Sequence, residues 1–130
     1  MKLKLATKIE VKDSPGKGLG VFATNYILNG EVIEECHLVT LPTQLHEPSG
    51  LLIDYRFNWP QDSETQEQVV CLGNGSIYNH SDKNNAVWRD HPRYKLFQFV
   101  AIANIHPGEE ICTYYGGDDY WSERSYINKL

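Results

Sequence analysis

Long apolar runs are missing from this chain of 130 residues. Nothing approaches the roughly 20 consecutive apolar residues that cross a bilayer. The start, Met1-Lys2-Leu3-Lys4-Leu5-Ala6, has no apolar stretch of the secretory type, so no membrane is expected and an intracellular protein is. Cysteine is scarce: the 3 present, Cys36, Cys71 and Cys112, stand apart with no CxxC or CxC pair, an odd count that argues against a disulfide framework. Small buried thiols are the expectation for them. The 5 histidines (His37, His46, His80, His91 and His106) show neither HxxxH nor HExxH spacing, so no metal site is expected. A basic stripe is also lacking. With 17 acids against 12 bases the net charge is −5, which disfavours direct nucleic-acid binding and suits a Lys/Arg-rich partner, although the same charge also serves solubility.

No 3.6-residue apolar pattern is long enough for a substantial helix. What remains is short strands punctuated by glycine and proline, in a length that fits one domain. Lys8 to Val11 alternates polar and apolar, Asp13-Ser14-Pro15-Gly16-Lys17-Gly18 carries turn chemistry, and Leu19-Gly20-Val21-Phe22-Ala23 resumes as strand. Asn29-Gly30 between Tyr26-Ile27-Leu28 and Glu31-Val32-Ile33-Glu34 predicts a second hairpin with a type I′ turn. From His46 to Val70 the composition shifts, and Leu51 to Trp59 reads as a short helix or irregular insert backed by a polar loop. Leu96 to Ala103 reads as a buried strand, Asn104 to Gly108 as a turn, and Glu110 to Tyr115 as a further strand ending at Gly116-Gly117. No internal repeat is expected.

Three segments are candidates for chemistry. The glycines of Gly16-Lys17-Gly18-Leu19-Gly20 let backbone N–H groups approach a polar ligand, yet taken alone a plain hairpin turn is the favoured reading, and a dinucleotide loop is not supported because a strand follows rather than a helix. In Tyr78-Asn79-His80-Ser81-Asp82-Lys83-Asn84-Asn85, Asn79 offers both donor and acceptor and could orient a zwitterionic amino acid; an Asx-rich turn and an Asn-x-Ser glycosylation acceptor at Asn79 or Asn74 are the competing readings, the second demoted by the missing signal sequence. Tyr114, Tyr115, Tyr120 and Trp121 crowd together near the C-terminus, where ring faces would suit an ammonium or sulfonium charge or merely pack as core and rim. Tyr55 and Phe57 share one face if their segment is extended.

Taken together, Lys17-Gly18-Leu19-Gly20-Val21-Phe22-Ala23, Asn79-His80-Ser81 followed by Asn85, and Gly108-Glu109-Glu110-Ile111 through Tyr115-Gly116 resemble, in order and spacing, the motifs of the SET domain family of protein lysine methyltransferases. The resemblance runs from about Lys8 to Trp121 and is nearest to the minimal viral or bacterial-type members. It implies a mostly β fold of short curved sheets with a knot-like C-terminal core, filling residues 1–130 as a single domain with 46–70 as a variable insert and 116–130 closing the site. It further implies S-adenosylmethionine as cofactor and a lysine-containing protein or peptide, such as a histone tail, as substrate. By the same resemblance Tyr115 would lie at the methyl-transfer channel. Lys17, Gly18, Leu19, Gly20, Asn79, His80 and Trp121 would contact the cofactor, and Tyr55, Tyr114 and Tyr120 the substrate. A homodimer is compatible with so small a domain.

The chain departs from the family pattern at several positions. Tyr114 stands where an Asp usually precedes the catalytic tyrosine, Asn84 replaces a proline, Glu34-Glu35-Cys36 lacks the common Glu-Tyr-x-Gly form, and no zinc-binding cysteine cluster follows the motif. Two residues before Tyr115, where a bulky aromatic often limits the number of methyls, stands Thr113. A second class, a SET-like module that binds a peptide or metabolite without turnover, stays open at this level; cofactor binding discriminates the two.

Overall fold

The computed structural model describes residues 2–41, 55–61 and 67–116. These hold nine strands and no α-helix: β1 (Ile9–Ser14), β2 (Gly18–Ala23), β3 (Val32–Thr40), β4 (Arg56–Trp59), β5 (Glu67–Cys71), β6 (Asn79–His80), β7 (Ala86–Asp90), β8 (Leu96–Ala101) and β9 (Glu110–Thr113). They form two small sheets, one in the order β1-β2-β9-β6 and one in the order β4-β5-β3-β8-β7. The mostly β expectation holds.

The first hairpin is as predicted: Ile9 pairs with Ala23 through to Ser14 with Gly18, and the turn takes Gly16 and Gly18 to φ +80° and +82°. Asn29-Gly30 behaves differently. Gly30 is at φ +91° while among the described residues none other than glycine has positive φ, and Glu31 N–H donates to Leu28 O at 3.0 Å, so the turn has the type II pattern rather than type I′. Nor is there a hairpin. Ile27 bridges Ile105, and β3 pairs with β8 and β5 instead.

Behind that rearrangement lies a repeat not expected from the sequence. Ala23, Ile27, Gly30, Glu31 and Ile33 recur in the same spacing as Ala101, Ile105, Gly108, Glu109 and Ile111. The two copies face each other with reciprocal hydrogen bonds. Ile27 and Ile105 exchange both N–H···O bonds at 2.9 and 2.8 Å. Ala23 pairs with the second turn (N–H to Glu109 O, 2.9 Å; O from Gly108 N–H, 2.8 Å), and Ala101 pairs in the same way with the first (3.0 and 2.8 Å). Gly108, at φ +90°, matches Gly30. Each turn is a local feature that fits a hairpin, and the two-fold partnership between distant copies is what overrides it.

Residues 56–59, expected as helix or irregular insert, form strand β4 paired with β5. Period-two spacing puts Phe57 and Trp59 against the core, with Phe57 edge-on to Trp88 and Phe97 at centroid distances of 5.2 and 5.4 Å. At the other end, β9 stops at Thr113, so Tyr114 and Tyr115 lie beyond the ladder instead of within it. A bulge in β3 between Val32 and Glu34 breaks the alternation, which is why the adjacent Ile33 and Glu34 are both buried.

The core joins Val21, Ile27, Ile33, Leu38, Val69, Tyr78, Phe97, Phe99, Ile105 and Ile111. Ile105 is fully buried and also carries the bridge between the two turns. Ile105→Ala should therefore cost about 2–5 kcal/mol, read by denaturant unfolding, whereas the half-exposed neighbour Ile102→Ala should stay within about 0.5 kcal/mol.

Candidate active site

The candidate residues meet where β9 is gripped along both edges. On one side β2 pairs with it at Val21–Ile111 and Phe22–Glu110. On the other, β6 runs parallel to it, Asn79 beside Cys112 and His80 beside Thr113. The chain then loops around: Ser81 N–H donates to Thr113 O at 2.9 Å, and Asn85 closes the wrap. Its Nδ2 donates to Glu110 O (2.9 Å) while its Oδ1 accepts from Cys112 N–H (2.8 Å), so a single amide side chain mimics a strand edge.

Gly20 is required by close approach. A Cβ there would lie 2.6 Å from Glu110 Oε2 and 3.0 Å from Asn79 Nδ2 and Ser14 Cβ. In the space left by the missing side chain, the Glu110 carboxylate accepts from Ser14 Oγ (2.9 Å) and Asn79 Nδ2 (2.8 Å), and Asn79 Nδ2 also donates to Leu19 O at 3.0 Å. This ties the glycine loop to the Asn79 strand. Gly18, by contrast, faces open space. Lys17 reaches across to donate to His80 O at 3.0 Å.

His80 is buried, its side chain 1% exposed. Its Nδ1 accepts from Tyr115 N–H at 2.9 Å and its Nε2 lies 2.8 Å from Asp82 Oδ1. Tyr115 is held at its far end as well, its hydroxyl donating to Tyr78 O. Tyr114 lies partly exposed beside the His80 ring, centroids 5.1 Å apart. Lys17, Gly18, Leu19, Gly20, Asn79, His80, Tyr114 and Tyr115 thus form one cluster. Tyr55 stands elsewhere, half-exposed just before edge strand β4 of the other sheet, and among the described residues no hydrogen bond or ring contact joins it to the cluster. Tyr120 and Trp121 lie outside the described residues, as does most of 46–70.

Sequence reasoning left several residues of this arrangement without a role. Glu110 lies within a quoted motif, yet its bond to Asn79 links two segments far apart in the chain. Asp82 carries no motif signal at all. The third omission is buried: Tyr78 donates to Glu34 Oε1 at 2.6 Å and stacks on Phe99 at 4.6 Å, and Asn74 adds a 3.4 Å bond to Glu34 Oε2. Burial, with the Glu34 carboxylate beside it, pushes the Tyr78 phenol well above its ordinary range. The neighbouring Cys71 thiol and burial do the same to Cys36, while burial near Glu110 raises Cys112 to about 11. A cavity of about 360 Å³ lies elsewhere, between Leu3, Leu5, Glu34 and Asn74, and touches none of the candidate residues.

With this geometry in view, the comparisons with known proteins agree. The SET domain family model matches residues 18–116. The chain is 29% identical over 122 residues to a Schizosaccharomyces pombe protein named histone-lysine N-methyltransferase, H3 lysine-37 specific, covering 92% of this chain and 80% of that one. It is 30% identical over 105 residues to zebrafish (Danio rerio) protein-lysine N-trimethyltransferase SMYD5, covering 77% of this chain but only 24% of that longer protein. A crystal structure from Plasmodium falciparum, provisionally described as a histone methyltransferase, superposes with a TM-score of 0.73 at 30% identity over 89% of this chain and 99% of its own. The chain belongs to the SET domain family. It is an enzyme of that family's lysine methyltransferase class, whose members use S-adenosylmethionine and act on a lysine-containing protein.

Two tests follow from the packing. Gly20→Ala should lose about 1–3 kcal/mol and weaken the Asn79–Glu110 link, measured as lowered thermal stability together with weaker cofactor binding. The raised Cys36, Tyr78 and Cys112 groups hold their protons more tightly folded than unfolded. Their contribution is complete below the unfolded thiol value of about 8.5 and is lost as pH climbs through the folded values, Cys112 at about 11 among them. Denaturant midpoints should therefore fall steadily above about pH 8.5, and Cys112→Ala should flatten the first part of that decline.

Proposed function

We propose that this chain methylates a lysine on a basic protein tail, a histone tail being the substrate class that its relatives' names suggest, with Tyr115 at the transfer channel. The observation that carries this reading is the double anchoring of Tyr115, by His80 Nδ1 at its backbone and by Tyr78 O at its hydroxyl, beside the glycine loop. An ordinary surface tyrosine has no need of two anchors. The negative net charge and the intracellular location expected of a histone-modifying protein fit the same substrate.

The donor set fits the cofactor. Gly18, open on its outer side, lets backbone approach a ligand; Lys17 supplies a cation for a carboxylate and Asn79 a polar contact for an amino-acid head. Leu19, Gly20 and His80 complete the wall. When bound, S-adenosylmethionine supplies an electrophilic methyl on a positive sulfonium. Tyr114, partly exposed beside the His80 ring, lines the lysine path.

Displacement at the methyl carbon needs a neutral amine, although free lysine titrates near about 10.4. An aromatic, water-poor channel disfavours the ammonium form, as does a nearby positive charge. Because the Tyr115 hydroxyl proton is engaged by Tyr78 O, its oxygen presents lone pairs to the reacting groups, and the residue orients them instead of taking up a proton. Alignment of donor and acceptor is worth roughly 7–11 kcal/mol. Loss of that anchor is thus a positioning defect. A module that binds without turnover is the less favoured reading, because both Tyr115 anchors and the Asn79 link are intact.

Tyr115→Phe should keep S-adenosylmethionine binding by calorimetry but lower methyl transfer to histone peptides by about 100-fold or more. Unchanged turnover would remove Tyr115 from the channel, and absence of cofactor binding by the native chain would favour the non-catalytic module.

A further inference from the structure

We infer that Asp82 is a positioning residue for methyl transfer, acting through His80 on the backbone of Tyr115. A backbone N–H only donates, so the 2.9 Å contact from Tyr115 N requires His80 Nδ1 to be an unprotonated acceptor. In a neutral imidazole the ring proton then sits on Nε2, where Asp82 Oδ1 receives it at 2.8 Å. The ring is 1% exposed, so its N–H is costly to leave without an acceptor, whereas Asp82 is 53% exposed and keeps its carboxylate hydrated. A carboxylate that fixes the tautomer and ring angle of a histidine working through its other nitrogen is a recurring physical arrangement.

The need for this device follows from where β9 ends. Thr113 O is the last partner that the wrapping loop takes, and Tyr115 N–H lies beyond the ladder. His80, paired in register with Thr113, replaces the missing strand neighbour with its side chain. Its carbonyl is held at the same time by Lys17 at 3.0 Å, and Asp82 restrains rotation of the ring about its side chain. Tilted contacts with Tyr114 and Tyr115, at centroid distances of 5.1 and 5.5 Å, make any ring rotation disturb both aromatics.

The inference rests on the methyltransferase reading for its kinetic part only, and the test separates the two. Asp82→Ala and Asp82→Asn are compared with the native chain by steady-state methyl transfer to a histone peptide and by hydrogen exchange of the Tyr115 amide. The exposure of Asp82 leaves both variants folded, checked by thermal unfolding. Asp82→Ala should lower kcat by about 10-fold or more with KM for peptide nearly unchanged, and should accelerate Tyr115 amide exchange by a similar factor. Asp82→Asn keeps an acceptor oxygen at the same place and should restore both to within about two-fold of native. An Asp82→Ala chain with native Tyr115 exchange would overturn the inference, as would one with native kcat, or an asparagine variant as impaired as the alanine one. If the native chain transfers no methyl group, the functional reading fails, and the exchange data still decide whether Asp82 holds Tyr115.

Discussion

Strand β9 is four residues long, and the candidate site exists because both of its edges are hydrogen-bonded. A strand so short has little stability of its own. Here β2 takes one edge, β6 takes the other in parallel, and Asn85 extends that second edge by donating and accepting through one amide. Removing water from both edges fixes the register of Thr113, and the register of Thr113 fixes where Tyr114 and Tyr115 emerge. Tyr115 is placed by backbone pairing first and by its own side chain second.

The same economy appears in the paired turns. Two copies of one pattern, each with a glycine at φ near +90° before a glutamate, meet at Ile27 and Ile105 and satisfy each other's backbone groups. This junction connects the two sheets, since β2 and β3 flank the first copy and β8 and β9 flank the second. The bulge at Val32–Glu34 then turns Glu34 inward, where Tyr78 and Asn74 supply the hydrogen bonds that a buried carboxylate requires. Because Tyr78 also offers its carbonyl to the Tyr115 hydroxyl, the buried polar cluster and the candidate site share one residue.

The SET domain family match spans the glycine loop, the Asn79-His80-Ser81 strand and the Tyr115 terminus. This chain adds its own solutions where it departs from the family pattern. Asn84, in place of proline, donates to Ala86 O at 3.0 Å and so holds the loop by a hydrogen bond where proline would hold it by a fixed φ. Tyr114, in place of Asp, stands beside the His80 ring.

Much of the site was legible in the sequence because its ingredients are local: closely spaced glycines at 16, 18 and 20, Asn79 beside His80, and Tyr115 after a β pattern. The first hairpin was legible for the same reason, since its pairing partners are neighbours in the chain. The Asn29-Gly30 hairpin and the loss of Tyr114 and Tyr115 from β9 were not, because a turn residue or a β-former states only what it tolerates. Pairing between distant copies, and a wrap that ends at Thr113, decided the outcome. Residues 56–59 took a strand because β5 was available to pair with them, a fact carried by the partner. Glu110, Asp82 and the Glu34–Tyr78 pair became visible only in three dimensions, since their significance is a hydrogen bond to a residue brought near by the fold. The sequence by itself determined the chemistry available and the backbone freedom at each turn; the tertiary structure alone decided which of those groups meet, because hydrogen bonds act over about 3 Å and sequence distance says nothing of that separation.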